Sequence, residues 1–396
     1  MKYRIHASRI IPCDSEKVIE NGFVDFEGRQ IKGVGKTEDV KSVKFEGKEI
    51  NYPGCTIIPG LVNSHDHLVT KSKYTSWTLD VVKSEAIPYQ SIRALRNAEN
   101  ILREGVTTLR ECGCRERINI AVSRANMDGL VTTPDIIACG RPISIIGGHC
   151  SYYSYQISSE HEGIAAVRTE LMHGADFIKV HATGGAGTKE GSPEWRQLTL
   201  DELKAIVDEA HASEKRVCSH AIGREGIKNS ILAGVDSIEH GHYLDEELLE
   251  MMVEKGIYYV PTLTGYIPLA LKGLEMGRPQ WMVDNAMKLL NKHQEVMETI
   301  KKYPEIIMAT GSDSSGSVAE EAEEMYNVGF SPIQILIFAT RNGADVLDVL
   351  DRKGTIECDK DADMVVIEGD PLKNIKDLKM VKQVIKGGKF ISPLAK

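Results

Sequence analysis

The chain has 396 residues, with 42% hydrophobic and 27% charged residues and a formal net charge of −9. That length exceeds what one hydrophobic core usually needs, so a large domain with a smaller companion is expected. The acidic balance argues against a nucleic-acid partner, which would call for a basic face to neutralise phosphates.

The opening MKYRIHASRIIPCDSEK has no apolar core of signal-peptide length, and no run approaches the roughly 18 apolar residues of a membrane span. Cysteines at 13, 55, 112, 114, 139, 150, 218 and 358 lack the dense spacing of a disulfide framework. A cytoplasmic protein is the expectation. Residues 1–58 carry short β-like runs at Tyr3–Ile5, Ile10–Ile11, Gly22–Phe26 and Ile31–Val34, with glycine and charged turns between.

From about residue 57 strands and helices alternate. The strand candidates are Thr56–Val62, Val106–Arg110, Ile136–Cys139, Phe177–Val180, Arg216–Ser219, Ser237–Ile238, Tyr258–Val260 and Ile306–Ala309. Between them, Thr199 and Glu202 form a capping box ahead of the helical stripe Leu203, Ile206, Val207, Ala210. A second helix runs from about Asp245 to Lys255 and stops at Gly256; a third starts at Ser331-Pro332. Eight such repeats over roughly 290 residues favour a closed (β/α)8 TIM barrel over an open sheet. The tail runs Asp363–Ile367 and Val381–Phe390 are strands with no barrel left to join. The chain therefore reads as a β-sandwich domain made of 1–58 and 355–396, beside a barrel of 59–354.

Chemistry enters at Asn63-Ser64-His65-Asp66-His67. In a strand, residues two apart share a face, so both imidazoles project together where the first barrel strand ends. Neutral imidazole is a common metal ligand, although H-x-H alone is a weak pattern and two loop histidines would look the same. Further strands deliver His220, His240 and Asp313 to the same end. Any one of these reads equally well as a buried structural residue. Their joint placement favours a metal site.

Lys179 sits inside the apolar run Phe177-Ile178-Lys179-Val180, where an unpaired ammonium is costly. A strand lysine normally reaches an edge or pairs with a carboxylate. In a metal site its neutral amine can instead add CO₂, giving an anionic carbamate that bridges two cations.

This ordered set, with the lead-in Ile58–Leu61 and the tail Lys360–Val366, resembles the binuclear branch of the amidohydrolase superfamily over nearly the whole chain. Ile178-Lys179, Ala182–Gly185 and Gly147-Gly148-His149 are most similar to a subgroup related to imidazolonepropionase, which includes Xaa-Pro dipeptidases, arginine/lysine carboxypeptidases and amide hydrolases such as ochratoxinase. The resemblance implies two divalent metal ions, with zinc as the default. His65, His67 and Asp313 would hold one ion and His220 and His240 the other, and carboxylated Lys179 would bridge them with a hydroxide. Asp313 would act as general base and acid.

The implied reaction is hydrolysis of an amide (C–N) bond in a small molecule such as an N-acyl amino acid or dipeptide. A lactonase or phosphoesterase could share this metal core, a mononuclear deaminase would lack Lys179, and a non-catalytic scaffold would have lost ligands. His149 resembles a substrate-contacting residue of the subgroup, against the alternative of a solvent-exposed loop histidine. Arg115, Arg117, Arg196 and Arg224 are candidate carboxylate forks or plain surface charges. Trp77, Trp195 and Tyr266 are candidate pocket walls or packing residues, and Gly184–Gly191 reads as a substrate-side loop. Two departures stand out: Ile222 occupies a position where peptidase-like members often carry a polar ring, and Gly311-Ser312-Asp313 replaces the commoner Gly-Thr-Asp. The expected partner is a small-molecule substrate, with neither nucleic acid nor membrane; a homo-oligomer stays open.

Overall fold

The computed structural model describes residues 1–71, 79–186 and 192–394. Both ends of the chain meet in one seven-stranded sheet, in the order Lys389–Ile391, Val381–Lys386, Met364–Glu368, Lys48–Pro59, Lys2–Ile10, Ile19–Glu27, Gln30–Lys36. The tail strand Met364–Glu368 pairs antiparallel with Lys48–Pro59, setting Val365 opposite Ile58 and Val366 opposite Ile57. Ile5, Ile10, Val24, Phe26, Ile57 and Val366 form its buried core.

The alternating segment closes on itself. Leu61–Asp66, Val106–Glu111 and Asp135–Ala138 pair in parallel. Ile178–His181, Val217–Ala221, Ser237–His240 and Tyr258–Val260 form a second parallel run. On one side the Asp176 amide donates to the Ala138 carbonyl at 2.8 Å. On the other, the segment ending in Asp313 is bridged in parallel from Met308 to Tyr259 and from Asp313 to Asp66. This is the TIM-barrel arrangement, whose strand ends carry the chemistry.

Local sequence chemistry sets the helices. The Thr199–Glu202 capping box is made in both directions, at 2.8 and 3.2 Å, and the helix Leu200–His211 buries Leu203, Ile206, Val207 and Ala210. Asp245 caps Glu246–Lys255, which ends at Gly256 with φ +66°. Ser331 caps Pro332–Ile337 in a second capping box with Gln334.

The expected strand Thr56–Val62 is two strands, Lys48–Pro59 in the sheet and Leu61–Asp66 in the barrel, meeting at Gly60. A Cβ on Gly60 would lie 2.1 Å from Thr107 Oγ1, so the crossing tolerates no side chain. The expected strand Ile306–Ala309 is held by single bridges and by hydrogen bonds such as Ala309 N–H to the Tyr259 carbonyl, 3.0 Å, without forming a full ladder. Two features lie beyond the sequence reading. Short strands Ile143–Ile145 and Tyr155–Ile157 extend the second run at its edge. A helical pair, Leu263–Lys272 and Gln280–Thr299, follows Tyr258–Val260. All eight cysteines are free, and among the described residues no helix is long and apolar enough to cross a membrane.

Candidate active site

A cavity of about 820 Å³ opens at the strand ends, and His65, His67, His149, Lys179, His220, His240 and Asp313 all line it. The register explains the convergence. Lys179 and His181 lie two apart on one strand, His181 is paired with His220, and Ala221 with His240. The Asp66–Asp313 bridge brings the carboxylate beside the H-x-H strand, where the Ser312 and Asp313 amides both donate to the His65 carbonyl at 3.0 and 2.9 Å. His65, His240 and Asp313 each offer a ligand atom within 4.8 Å of the others. His240 and Asp313 adopt left-handed backbone, with φ of +71° and +50°. Strain of this kind persists only where surroundings hold it. Strand alternation would send Glu239 and His240 to opposite faces, yet Glu239 bonds His65 and His240 lines the cavity.

Each of the four histidines expected as ligands has one ring nitrogen anchored. His65 Nδ1 donates to Glu239 Oε2 at 2.6 Å, and His67 Nδ1 to the Gly113 carbonyl at 3.1 Å. His220 Nε2 donates to the Gly184 carbonyl at 2.9 Å. His240 Nδ1 donates to Thr262 Oγ1 at 2.6 Å, a hydroxyl whose own proton goes to the Pro261 carbonyl. An N–H committed to an acceptor fixes the tautomer and leaves the other nitrogen with a lone pair, the form a cation needs.

The electrostatics agree. Burial, reinforced by the Lys179 charge, pushes His65 down to about 4 despite its bond to Glu239. Burial also drives His220 and His240 well below the ordinary imidazole range. Desolvation opposes ionisation of Asp313, but His65, His67 and the Ser314 donors outweigh it and hold the carboxyl below its usual value. Neutral imidazoles around a carboxylate are a cation-binding donor set. Lys179 Nζ completes the case: it is buried and has no hydrogen-bond partner among the described residues. An ammonium left so would be costly, whereas a group that gains negative charge and meets cations would not. The residues present therefore fit divalent metal.

Several other side chains serve the site and carry weaker sequence signals. Glu239 takes bonds from His65, from Arg110 at 2.6 Å and from Ser237 at 2.6 Å, and Arg110 also grips the Ser64 carbonyl at 2.6 Å. Its position directly before His240 was the only hint. His181 lines the cavity and donates from Nδ1 to the His149 carbonyl at 3.0 Å; its spacing from Lys179 would have placed it there. Buried Lys71 bonds Asp66, Ser312 Oγ at 2.7 Å and the Asp313 carbonyl at 2.7 Å, tying the strand of His65 and His67 to the segment that ends in Asp313.

With this geometry in place, a family model for the amidohydrolase family matches residues 56–391. The chain belongs to the amidohydrolase family. It is 28% identical to ochratoxinase of Aspergillus niger, over 98% of this chain and 86% of that enzyme, and 22% identical to imidazolonepropionase of Alkaliphilus oremlandii, over 94% and 91%. Among solved structures it superposes on a Xaa-Pro dipeptidase with bound methionine in the active site, with TM-score 0.89, 29% identity and coverage of 99% and 100%. A prolidase complexed with N-methylphosphonate-L-proline matches with TM-score 0.89, 25% identity and full coverage of both chains. As an amidohydrolase, the chain is a hydrolase acting on C–N bonds, in a superfamily that typically uses divalent metals.

The remaining expectations divide. His149 stacks on His220, ring centroids 4.3 Å apart, so it is part of the cavity wall and not a loop histidine in solvent. A Cβ on Gly185 would lie 2.4 Å from the His149 ring, so that glycine makes room for it. Tyr266 lines the cavity and packs with Ile222, which fills its position with apolar bulk. Trp195 is exposed and is not among the described residues that line the cavity. None of the four arginines faces the cavity. Arg117 forks onto Glu170 at 2.8 Å on both arms, Arg196 pairs with Glu225 at 2.9 Å, Arg224 with Asp245 at 2.5 Å, and Arg115 binds backbone carbonyls. Trp77 and residues 187–191 of the glycine-rich loop lie outside the described residues.

Proposed function

We propose that this amidohydrolase cleaves the amide bond of a small substrate such as an N-acyl amino acid or a dipeptide, at a site of two divalent cations. His65, His67 and Asp313 would hold one, His220 and His240 the other, and Lys179, carboxylated on Nζ, would lie between them. Zinc suits these imidazole and carboxylate donors. The observation that carries the reading is the buried Lys179 Nζ, without a hydrogen-bond partner among the described residues, in a cavity shared with four histidines whose tautomers are fixed. When bound, the cations supply a water of lowered pKa and polarise the scissile carbonyl.

The chain's own residues supply the rest. Asp313 Oδ1 accepts from the Ser314 amide at 2.6 Å and the Ser314 hydroxyl at 3.1 Å, which orients the carboxylate. Held ionised, it accepts the proton of the attacking water and returns it to the departing amine. His149, stacked on His220, contacts the substrate carbonyl or carboxylate. The likeness to a dipeptidase that holds a free amino acid, methionine, in its active site supports an amino-acid-sized leaving group.

The test is hydrolysis of N-acyl amino acids, dipeptides and lactones by zinc-reconstituted protein. Release of free amino acid that stops on chelation and returns with zinc is expected. Turnover of lactones alone would overturn the amide assignment, and one tightly held ion per chain would favour a mononuclear deaminase.

A further inference from the structure

The far wall of the same cavity is built by the helical pair that follows the Tyr258–Val260 strand. Leu269, Met276, Arg278, Trp281 and Met282 come from these two helices and their connection. Arg278 occupies the turn between them, its amide donating to the Gly273 carbonyl at 2.8 Å, and Pro279 then starts the second helix. The chain carries net negative charge, yet among the described lining residues the cations Lys83, Lys179 and Arg278 face a single carboxylate, that of Asp313. Lys179 and Asp313 belong to the metal chemistry. Lys83 is exposed and lies over the Tyr152 ring, 5.4 Å from its centroid. Arg278 is partly buried, and desolvation lowers its pKa from the ordinary arginine value. A planar guanidinium in such a place matches a carboxylate by two parallel bonds, and apolar neighbours strengthen them.

We propose that Arg278 anchors the α-carboxylate of the substrate's amino-acid part, with Trp281, Met282 and Leu269 walling an apolar side chain, so that the enzyme selects substrates with a free acid over their amides. This rests on the hydrolase reading above and adds to it the residue that sets the substrate class. The carboxylate is held at the mouth while the amide carbonyl lies toward the metal ligands.

The test pairs N-acetyl-L-methionine with N-acetyl-L-methioninamide, using zinc-loaded protein. Hydrolysis (kcat/KM) and binding by calorimetry are both read for wild type, Arg278→Met, Arg278→Lys and Lys83→Met. Wild type should prefer the acid. Arg278→Met should lose about tenfold to a hundredfold in kcat/KM and in affinity for the acid, the range of a charge-assisted hydrogen bond, with less than about threefold change for the amide. Arg278→Lys should recover part of the loss and Lys83→Met should have little effect. Equal treatment of acid and amide by wild type, or a loss that follows Lys83→Met instead of Arg278→Met, overturns the anchor while leaving the hydrolase reading intact. If wild type cleaves neither compound, N-acetylmethionine is not a substrate and the hydrolase reading is decided by the wider substrate panel above, while calorimetry decides the anchor: acid bound over amide only when Arg278 is present supports it, and no preference overturns it.

Discussion

Two buried lysines in this molecule sit in opposite circumstances. Lys353, where barrel and terminal sheet meet, has its ammonium 2.8 Å from Asp135, 3.2 Å from Asp361 and 2.5 Å from Asp363, and Lys386 adds a second cation at 2.5 Å from Asp135. Those three aspartates have the spacing of a metal site, but the lysine already supplies their charge. Burial disfavours the charged Lys353, yet Asp363 and Asp135 raise its pKa, and the two lysines hold Asp135 well below the usual carboxylate range. Lys179 has no such cage: its Nζ meets no acceptor among the described residues, and although the Cys218 and Cys112 thiols and the Glu239 carboxylate raise its pKa against burial, none of them bonds it. The first lysine is a finished structural clamp. The second calls for something added. What separates a structural from a functional buried charge is whether its partners are already in place.

Removing each lysine should therefore do different things. Lys179→Ala is expected to cost on the order of a thousandfold or more in kcat/KM with the melting temperature little changed, measured by steady-state kinetics and calorimetric unfolding. Lys353→Ala should instead cost about 3–5 kcal/mol of stability in denaturant unfolding, because it leaves buried Asp363 without its cation and takes one of two from Asp135 and Asp361, and leave kcat of the folded enzyme unchanged. If Lys353→Ala lowered kcat in fully folded protein, the division between clamp and site would fail.

Glu239 sharpens the contrast, since it orients His65, a proposed ligand, without belonging to the proposed set. Glu239→Gln keeps the shape but weakens the bonds to His65 and Arg110, and a loss of about 10–100-fold in zinc affinity is expected by competition with a chelator. Unaltered affinity would reduce Glu239 to a packing residue.

The smallest effect concerns His293, behind the site, which burial pushes down to about 3 and whose Nε2 lies 3.2 Å from the Tyr259 hydroxyl. Its folded pKa is below the unfolded value near 6.5, so the unfolded chain binds more protons between those limits and stability falls as pH drops through that window. His293→Leu should reduce the slope of stability against pH between pH 6 and 4 by about one proton. An unchanged slope would show that this ring takes up its proton in the fold.

The strand ends were legible because histidine, lysine and aspartate are rare inside apolar strands, and strand periodicity then fixes their face. His65, His67, His220, His240 and Asp313 could be placed at one end of the barrel from spacing alone, and Lys179 stood out by being charged in an apolar run. His181 was equally readable by the same two-residue rule. Glu239 and Arg110 were not, because a buried carboxylate–guanidinium pair has no local pattern; it depends on two strands distant in sequence coming into register. The helices around Arg278 were missed for a different reason. They are an elaboration after one barrel strand, where neither the repeat nor the strand spacing dictates a shape. The four arginines beside predicted strands read as carboxylate forks or plain surface charges, and all are taken up by carboxylates or carbonyls of the protein itself.

The most direct check is calorimetric titration of metal-stripped protein with zinc, comparing wild type, Lys179→Ala and Lys353→Ala. About two ions per chain are expected for wild type and for folded Lys353→Ala, with loss of the paired binding in Lys179→Ala. The same stoichiometry and affinity in Lys179→Ala as in wild type would contradict a bridging Lys179.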